Sequence, residues 1–179
     1  MRALIVLGLV TLGAGPVAAQ SIAERIASVP DGSVRMSYAA RAGVCGQGDN
    51  ISIRSGQDAE WQSECDDGPV RLSLTVRDGK VVGIKARVGG RWRGGIPGTD
   101  LGAVGARQAA DYLLDLAESG GPAAKDAIFP AMIADSVTPW PALLRIARNR
   151  RAHTESRKAA IFWLGQEAGS TIEIGRAHV

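Results

Sequence analysis

The stretch VRLSLTVRDGKVVGIKARV, Val70 to Val88, decides how the first half of this chain folds. Val70, Leu72, Leu74 and Val76 alternate with polar residues, and a period of two sets all four apolar side chains on one face of a β-strand. Asp78-Gly79 interrupts the pattern as a two-residue loop, and that pair favours a type I′ turn because both central positions need positive φ. Val82, Ile84, Ala86 and Val88 then resume the alternation. The stretch therefore predicts a β-hairpin with one buried face and one solvated face.

The same period appears upstream. In VRMSYAAR (Val34 to Arg41), Val34, Met36 and Tyr38 alternate with Arg35 and Ser37, and in NISIR (Asn50 to Arg54) Ile51 and Ile53 do so. Four such strands predict a small antiparallel sheet, with SIAERIAS (Ser21 to Ser28) as a short amphipathic helix covering part of its apolar face. Cys45 and Cys65, the only cysteines, fall inside this segment. In an oxidising compartment they are expected to form one disulfide, tying the loop after the first strand to the segment that carries Trp61. Closing that loop is worth about 3 kcal/mol in the chain-entropy model. A metal or redox pair is disfavoured: the spacing is neither CxxC nor a zinc pattern, and the only histidines are His153 and His178.

RVGGRWRGGIPGTDLG (Arg87 to Gly102) is dense in Gly and is read as a boundary, with residues 91–103 as linker between a β segment (20–90) and a helical one (104–169). Trp92, between Arg91 and Arg93, is read as pinning this linker against the sheet; the alternative is an exposed stacking or ligand-contact residue. From Val104 the period becomes helical. Ala106, Ala109, Leu113 and Leu116 recur at three and four, and Gly120-Gly121 with Pro122 ends that helix. A short second helix passes through Ile128 and Phe129 and is stopped or kinked by Pro130. Thr138 is placed as N-cap of a third, which carries Trp140, Leu143, Leu144, Ile146 and Ala147, and Thr154 as cap of a fourth that ends at Gly169.

The N-terminus addresses the compartment. Arg2, the apolar run Ala3 to Gly13 and Val17-Ala18-Ala19 after Gly15-Pro16 form a signal-peptide pattern, with cleavage expected after Ala19. The run is too short to span a bilayer, so no membrane association is expected after cleavage, and the mature chain is placed in the periplasm or outside the cell. Lys and Arg exceed Asp and Glu only by 21 to 18, which argues against a dedicated nucleic-acid binder. The basic cluster Arg145, Arg148, Arg150 and Arg151 is read as a solvated helix end.

The fourth helix, SRKAAIFWLGQEAG (Ser156 to Gly169), carries a resemblance. Arg157, Ala160, Leu164 and Gly165 match the R-x-x-A-x-x-x-L-G core of the second helix of bacterial HEAT repeats, although Ser156 and Trp163 depart from the usual residues there. The resemblance implies an α-solenoid of helix pairs over 104–169 and a role in binding other proteins; it does not reach the β segment. Ala159 to Leu164 (AAIFWL) is apolar around most of the helix, which suits a packed array, and no polar cap follows it. The tail Glu173 to Val179 (EIGRAHV) resembles a translated sequencing adapter, since ATC GGA AGA GCA CAC GTC reads Ile174 to Val179. Residues 173–179 are therefore expected to be non-native, with further repeats lost after them.

The fold class expected is α+β: a disulfide-tied antiparallel β segment followed by HEAT-like helices. The chain contains no G-x-S-x-G, H-E-x-x-H, P-loop or dinucleotide motif in its required context. His153 is read as a surface residue rather than a base. Glu60, Glu64, Asp66 and Asp67 around Trp61 and Cys65 are read as an acidic exposed turn rather than a cation or glycosidase site. The expected function is that of an exported, non-enzymatic protein-binding scaffold that needs no cofactor or metal, with Ile161, Phe162 and Trp163 as its interaction surface. Two alternatives stand beside it: an exported hydrolase or peptidase whose catalytic part lies outside this chain, and a small-ligand module in the β segment.

Overall fold

The computed structural model describes residues 20–54 and 65–176, apart from the side chains of 167 and 169–176. The signal-peptide region, Glu60, Trp61, Glu64 and residues 177–179 lie outside them. The chain opens with α1 (Ile22–Ala27), held at its start by a capping box in which the Ser21 hydroxyl accepts from the Glu24 N–H and the Glu24 carboxylate accepts from the Ser21 N–H. Ile22 and Ile26, one turn apart, turn into the core.

Strands β1 (Gly32–Tyr38), β4 (Val70–Arg77), β5 (Lys80–Val88) and β6 (Thr99–Ala103) make one sheet in the order β5-β4-β1-β6. The turn closes as its sequence requires: Asp78 and Gly79 take φ of 48° and 68°, and β4 and β5 pair from Val70↔Val88 to Arg77↔Lys80, but a register shift between Thr75 and Val76 buries Val81 and leaves Val82, expected on the core face, exposed. Val34, Met36, Tyr38, Val70, Leu72, Leu74 and Val76 are all buried on one face. Each such side chain contributes roughly 1.5–3 kcal/mol on burial.

The sheet differs from the expected one in two strands. Asn50–Ile53 (β3) does not join it but pairs with Val44–Gln47 (β2) in a separate two-stranded ribbon. Gly46 of β2 lies so close to the end of β5 that a Cβ there would run into the Val88 carbonyl oxygen. The fourth place is taken by β6, which pairs parallel to β1 and comes from residues read as linker. The sheet is therefore mixed, since β6 reaches the far edge by a crossover of residues 89–98 and not by a hairpin.

Helices α2 (Ala106–Ser119), α3 (Ala124–Met132), α4 (Trp140–Arg148) and α5 (Thr154–Arg176) follow. Gly120 ends α2 in the left-handed conformation at φ 77°, as its Gly-Gly-Pro signal predicts. The helix ends differ from those expected: Pro139, not Thr138, holds the N-cap of α4, and α5 already begins at Thr154 and continues past Gly169 to Arg176. One continuous core runs from Ile22 through the sheet to Leu113, Ile128, Ile146 and Ala160.

This arrangement overturns the HEAT-repeat reading. In a solenoid each helix pair contacts only its neighbours, whereas here helices and sheet share one core and the end of α3 is stitched to the end of β1. The Arg41 N–H donates to the Ile133 carbonyl, the Asp135 N–H to the Ala39 carbonyl, and the Tyr38 hydroxyl to the Pro130 carbonyl at 2.8 Å. The fold is α+β with a mixed sheet and one disulfide, not a helical solenoid. The matching residues had a simpler cause. Positions 157, 160 and 164 recur at helical spacing on any amphipathic helix, and of these only Ala160 is fully buried.

Candidate functional site

Cys45 and Cys65 are bonded, with Cα atoms 5.5 Å apart. Beside them Gly46 and Asp66 exchange backbone hydrogen bonds of 2.9 and 2.8 Å, so the bridge fixes the ribbon to the strand segment leading into β4. A disulfide of this kind is compatible with an extracellular or periplasmic location. No helix among the described residues is long and apolar enough to cross a membrane.

The four residues of the supposed repeat motif do not act together. Arg157 is half-buried and its Nε finds no hydrogen-bond partner among the described residues, Leu164 is half-buried, and Gly165 has no described neighbour over its Cα. Ser156, one of the two departures from the family pattern, is fully buried, with a hydroxyl that has no partner among the described residues. The predicted interaction surface is split. Trp163 turns inward, its ring 6.0 Å from that of Phe129 in a stacked arrangement, with Phe162 edge-on to it at 5.4 Å. Ile161 and Phe162 remain 60 % and 57 % exposed. Helix geometry explains this: Ser156, Ala160 and Trp163 share one side of α5, and residues 161 and 162 fall on the other.

The remaining polar candidates are engaged structurally. His153 is exposed, and its ring Nδ1 accepts from the Glu155 N–H at 3.2 Å, satisfying a free donor at the start of α5. Glu155 in turn is hydrogen-bonded by Lys158, which holds its carboxyl below the usual range. Arg145 donates to Glu118 at 2.6 Å and lies 3.5 Å from Asp115. The Glu118 hydrogen bond is the main cause of its raised pKa. The basic cluster is thus partly neutralised by α2. Asp67 is exposed and pairs with Arg54 at 3.8 Å.

A further surface was not singled out from sequence. The polar positions of the alternating strands converge on the face of the sheet opposite the core, where register aligns Ser33, Thr75 and Gly83 in one row, Arg35, Ser73 and Lys85 in the next, and Ser37, Arg71 and Arg87 in a third. The crossover 89–98 lies over this face. The Trp92 ring sits 5.2 Å from the Arg35 guanidinium and 6.0 Å from that of Arg71. Arg71 donates to the carbonyls of Gly89 and Gly90, and Arg35 to that of Ile96. Trp92 therefore does pin the Gly-rich segment to the sheet. The signal was present in the off-phase residues of the strands, masked by a near-neutral total charge.

No family model matches the chain, and no curated protein or solved structure matches it.

Proposed function

We propose that this chain is an exported, non-enzymatic protein-binding module that works through the outward side of α5. The observation that carries this reading is the adjacent pair Ile161 and Phe162, exposed on a helix whose opposite side is packed into the core. An amphipathic surface helix places polar residues on its outer side, and two large apolar side chains there remain in water without a covering partner. Contiguous exposed apolar surface marks a protein contact. Trp163 supports the pair from beneath, wedged between Phe162 and Phe129, so the contact side chains are held by a rigid aromatic base. His153, the one histidine among the described residues, is occupied in starting α5.

The test is self-association of the isolated protein, in which a second copy stands in for the partner. Sedimentation velocity over a concentration series is expected to show association, and a hydrophobic dye is expected to bind. Both should be lost in an Ile161→Ser, Phe162→Ser double variant that keeps its far-UV circular dichroism. A parent protein that stays monomeric and binds no dye refutes the reading.

A further inference from the structure

Independently of α5, we infer that the polar face of the sheet, together with the crossover 89–98 that lies on it, is a binding surface for an anionic glycan, a linear chain of carboxylated sugars. The first argument is electrostatic. Arg71 and Arg87 occupy directly opposed positions on neighbouring strands, and Arg35 and Lys85 flank Ser73 in the adjacent row. Like charges facing each other across strands destabilise a sheet, so four cations concentrated on one face work against folding. Their compensation within the fold is incomplete. Arg87 is ion-paired with Asp49, but Arg35 and Arg71 are held by backbone carbonyls and by the Trp92 ring, and Lys85 is exposed with no partner among the described residues. Arg91 and Arg93, on either side of Trp92 in the crossover, are exposed as well. The other carboxylate at this face, Asp100, is opposite Arg35 in register and accepts instead from the Gly102 N–H at 2.7 Å. Guanidinium and ammonium groups left in this state recognise carboxylates through charge-assisted hydrogen bonds.

The second argument concerns shape and the uncharged groups. Ser33, Ser37, Ser73 and Thr75 occupy the positions between the cations; the Ser33 and Ser73 hydroxyls are bonded to each other at 3.3 Å, and those of Ser37 and Thr75 can donate and accept. That suits a ligand whose own surface is hydroxyls. Trp92 is stacked on its sheet side by two guanidinium groups and is only half-buried, leaving indole surface for the apolar face of a sugar ring. Single-stranded nucleic acid, the other polyanion that uses cations and aromatics, is bound by stacking successive bases on several rings. Trp92 is the only aromatic residue between Tyr38 and Tyr112 among the described residues. The cations run along the sheet from Lys85 to Arg71 and on to Arg91 and Arg93 of the crossover, so the ligand is a linear chain and not a compact anion.

The experiment is isothermal titration calorimetry of the whole mature chain with an oligogalacturonate. A neutral malto-oligosaccharide of equal length and a single-stranded DNA oligomer are titrated in parallel. Binding of the oligogalacturonate is expected, weakening as sodium chloride is raised, with no heat from the neutral chain. Lys85→Gln, which removes an exposed side chain and leaves the fold intact, should weaken binding about threefold. Trp92→Ala should weaken it about tenfold. Lys125→Gln on α3, away from this face, should leave it unchanged. The inference is overturned by absence of binding, by equal binding of the neutral oligosaccharide, by equal effects of Lys85→Gln and Lys125→Gln, or by tighter binding of the DNA.

Discussion

Replacing Tyr38 by Phe tests the joint between sheet and helices. The Tyr38 hydroxyl, buried on β1, donates to the Pro130 carbonyl of α3 at 2.8 Å across 92 positions of sequence. That carbonyl is one of the acceptors a helix leaves free at its C-terminal end. The Ala134 N–H, which would close the next α-helical bond onto it, reaches the Ala131 carbonyl instead at 3.3 Å. Tyr38→Phe therefore leaves a buried acceptor unpaired as well as deleting a hydrogen bond, at a cost of about 2 kcal/mol near neutral pH. The pH dependence supplies a second, independent reading. Burial raises the Tyr38 pKa well above its ordinary value, so the folded protein keeps the phenol neutral while the unfolded chain ionises near pH 10. Above that pH the unfolded state binds fewer protons, and stability falls by about 1.4 kcal/mol per pH unit. The contribution is complete below about pH 10 and is lost as pH rises from there through the folded pKa. Phe cannot ionise, so the variant lacks this loss. Tyr112, whose pKa burial pushes up to about 12, is common to both proteins and cancels in the difference. Urea denaturation followed by circular dichroism should thus show a deficit of about 2 kcal/mol at pH 9 that shrinks to less than about 1 kcal/mol at pH 11. A variant as stable as the parent at pH 9, or a deficit that does not change with pH, refutes the reasoning.

Two further perturbations probe other parts of the fold. Changing both Cys45 and Cys65 to Ser should cost about 3 kcal/mol, from the loop of 20 positions that the bridge closes, and should lower the thermal midpoint by roughly 10 °C. A midpoint that stays within 2–3 °C of the parent would mean that the ribbon is held by packing alone. Ser156→Ala removes a fully buried hydroxyl that has no partner among the described residues and should raise stability by about 1 kcal/mol in urea titration. A loss of that size would show that the hydroxyl is bonded after all.

Much of the local structure could be read directly from residues. The β4–β5 hairpin was legible because alternation and an Asp-Gly turn are local properties, each fixed within a few positions. Four helices were legible for the same reason, though their ends were not: the start of α4 moves by a residue to the Pro139 cap, and α5 runs past the expected Gly169 to Arg176. Strand β6 was not legible: Thr-Asp-Leu-Gly-Ala buries only Leu101, so it has no alternation, and what makes it a strand is the free edge of β1. β2 was missed likewise, since Val-Cys-Gly-Gln is a strand through its pairing with β3 and its close approach to β5. The repeat motif misled because spacing on one helix reports which side is apolar and not what packs against that side. The same limit governs the candidate surfaces. Phe162 and Trp163 are neighbours in sequence, yet one is exposed and the other wedged against Phe129.

By itself the sequence determined the secondary structure wherever period and turn chemistry are self-contained, together with the cysteine pair and the nearly balanced charge. Only the tertiary structure decided which strands share a sheet, that the Gly-rich segment crosses that sheet and supplies an edge strand, and that Arg35, Arg71, Arg87 and Lys85 gather on the face opposite the core. The physical reason is range. Periodicity is set by neighbours along the chain, whereas strand order, burial of a particular side and the clustering of charge are set by contacts between segments far apart in sequence.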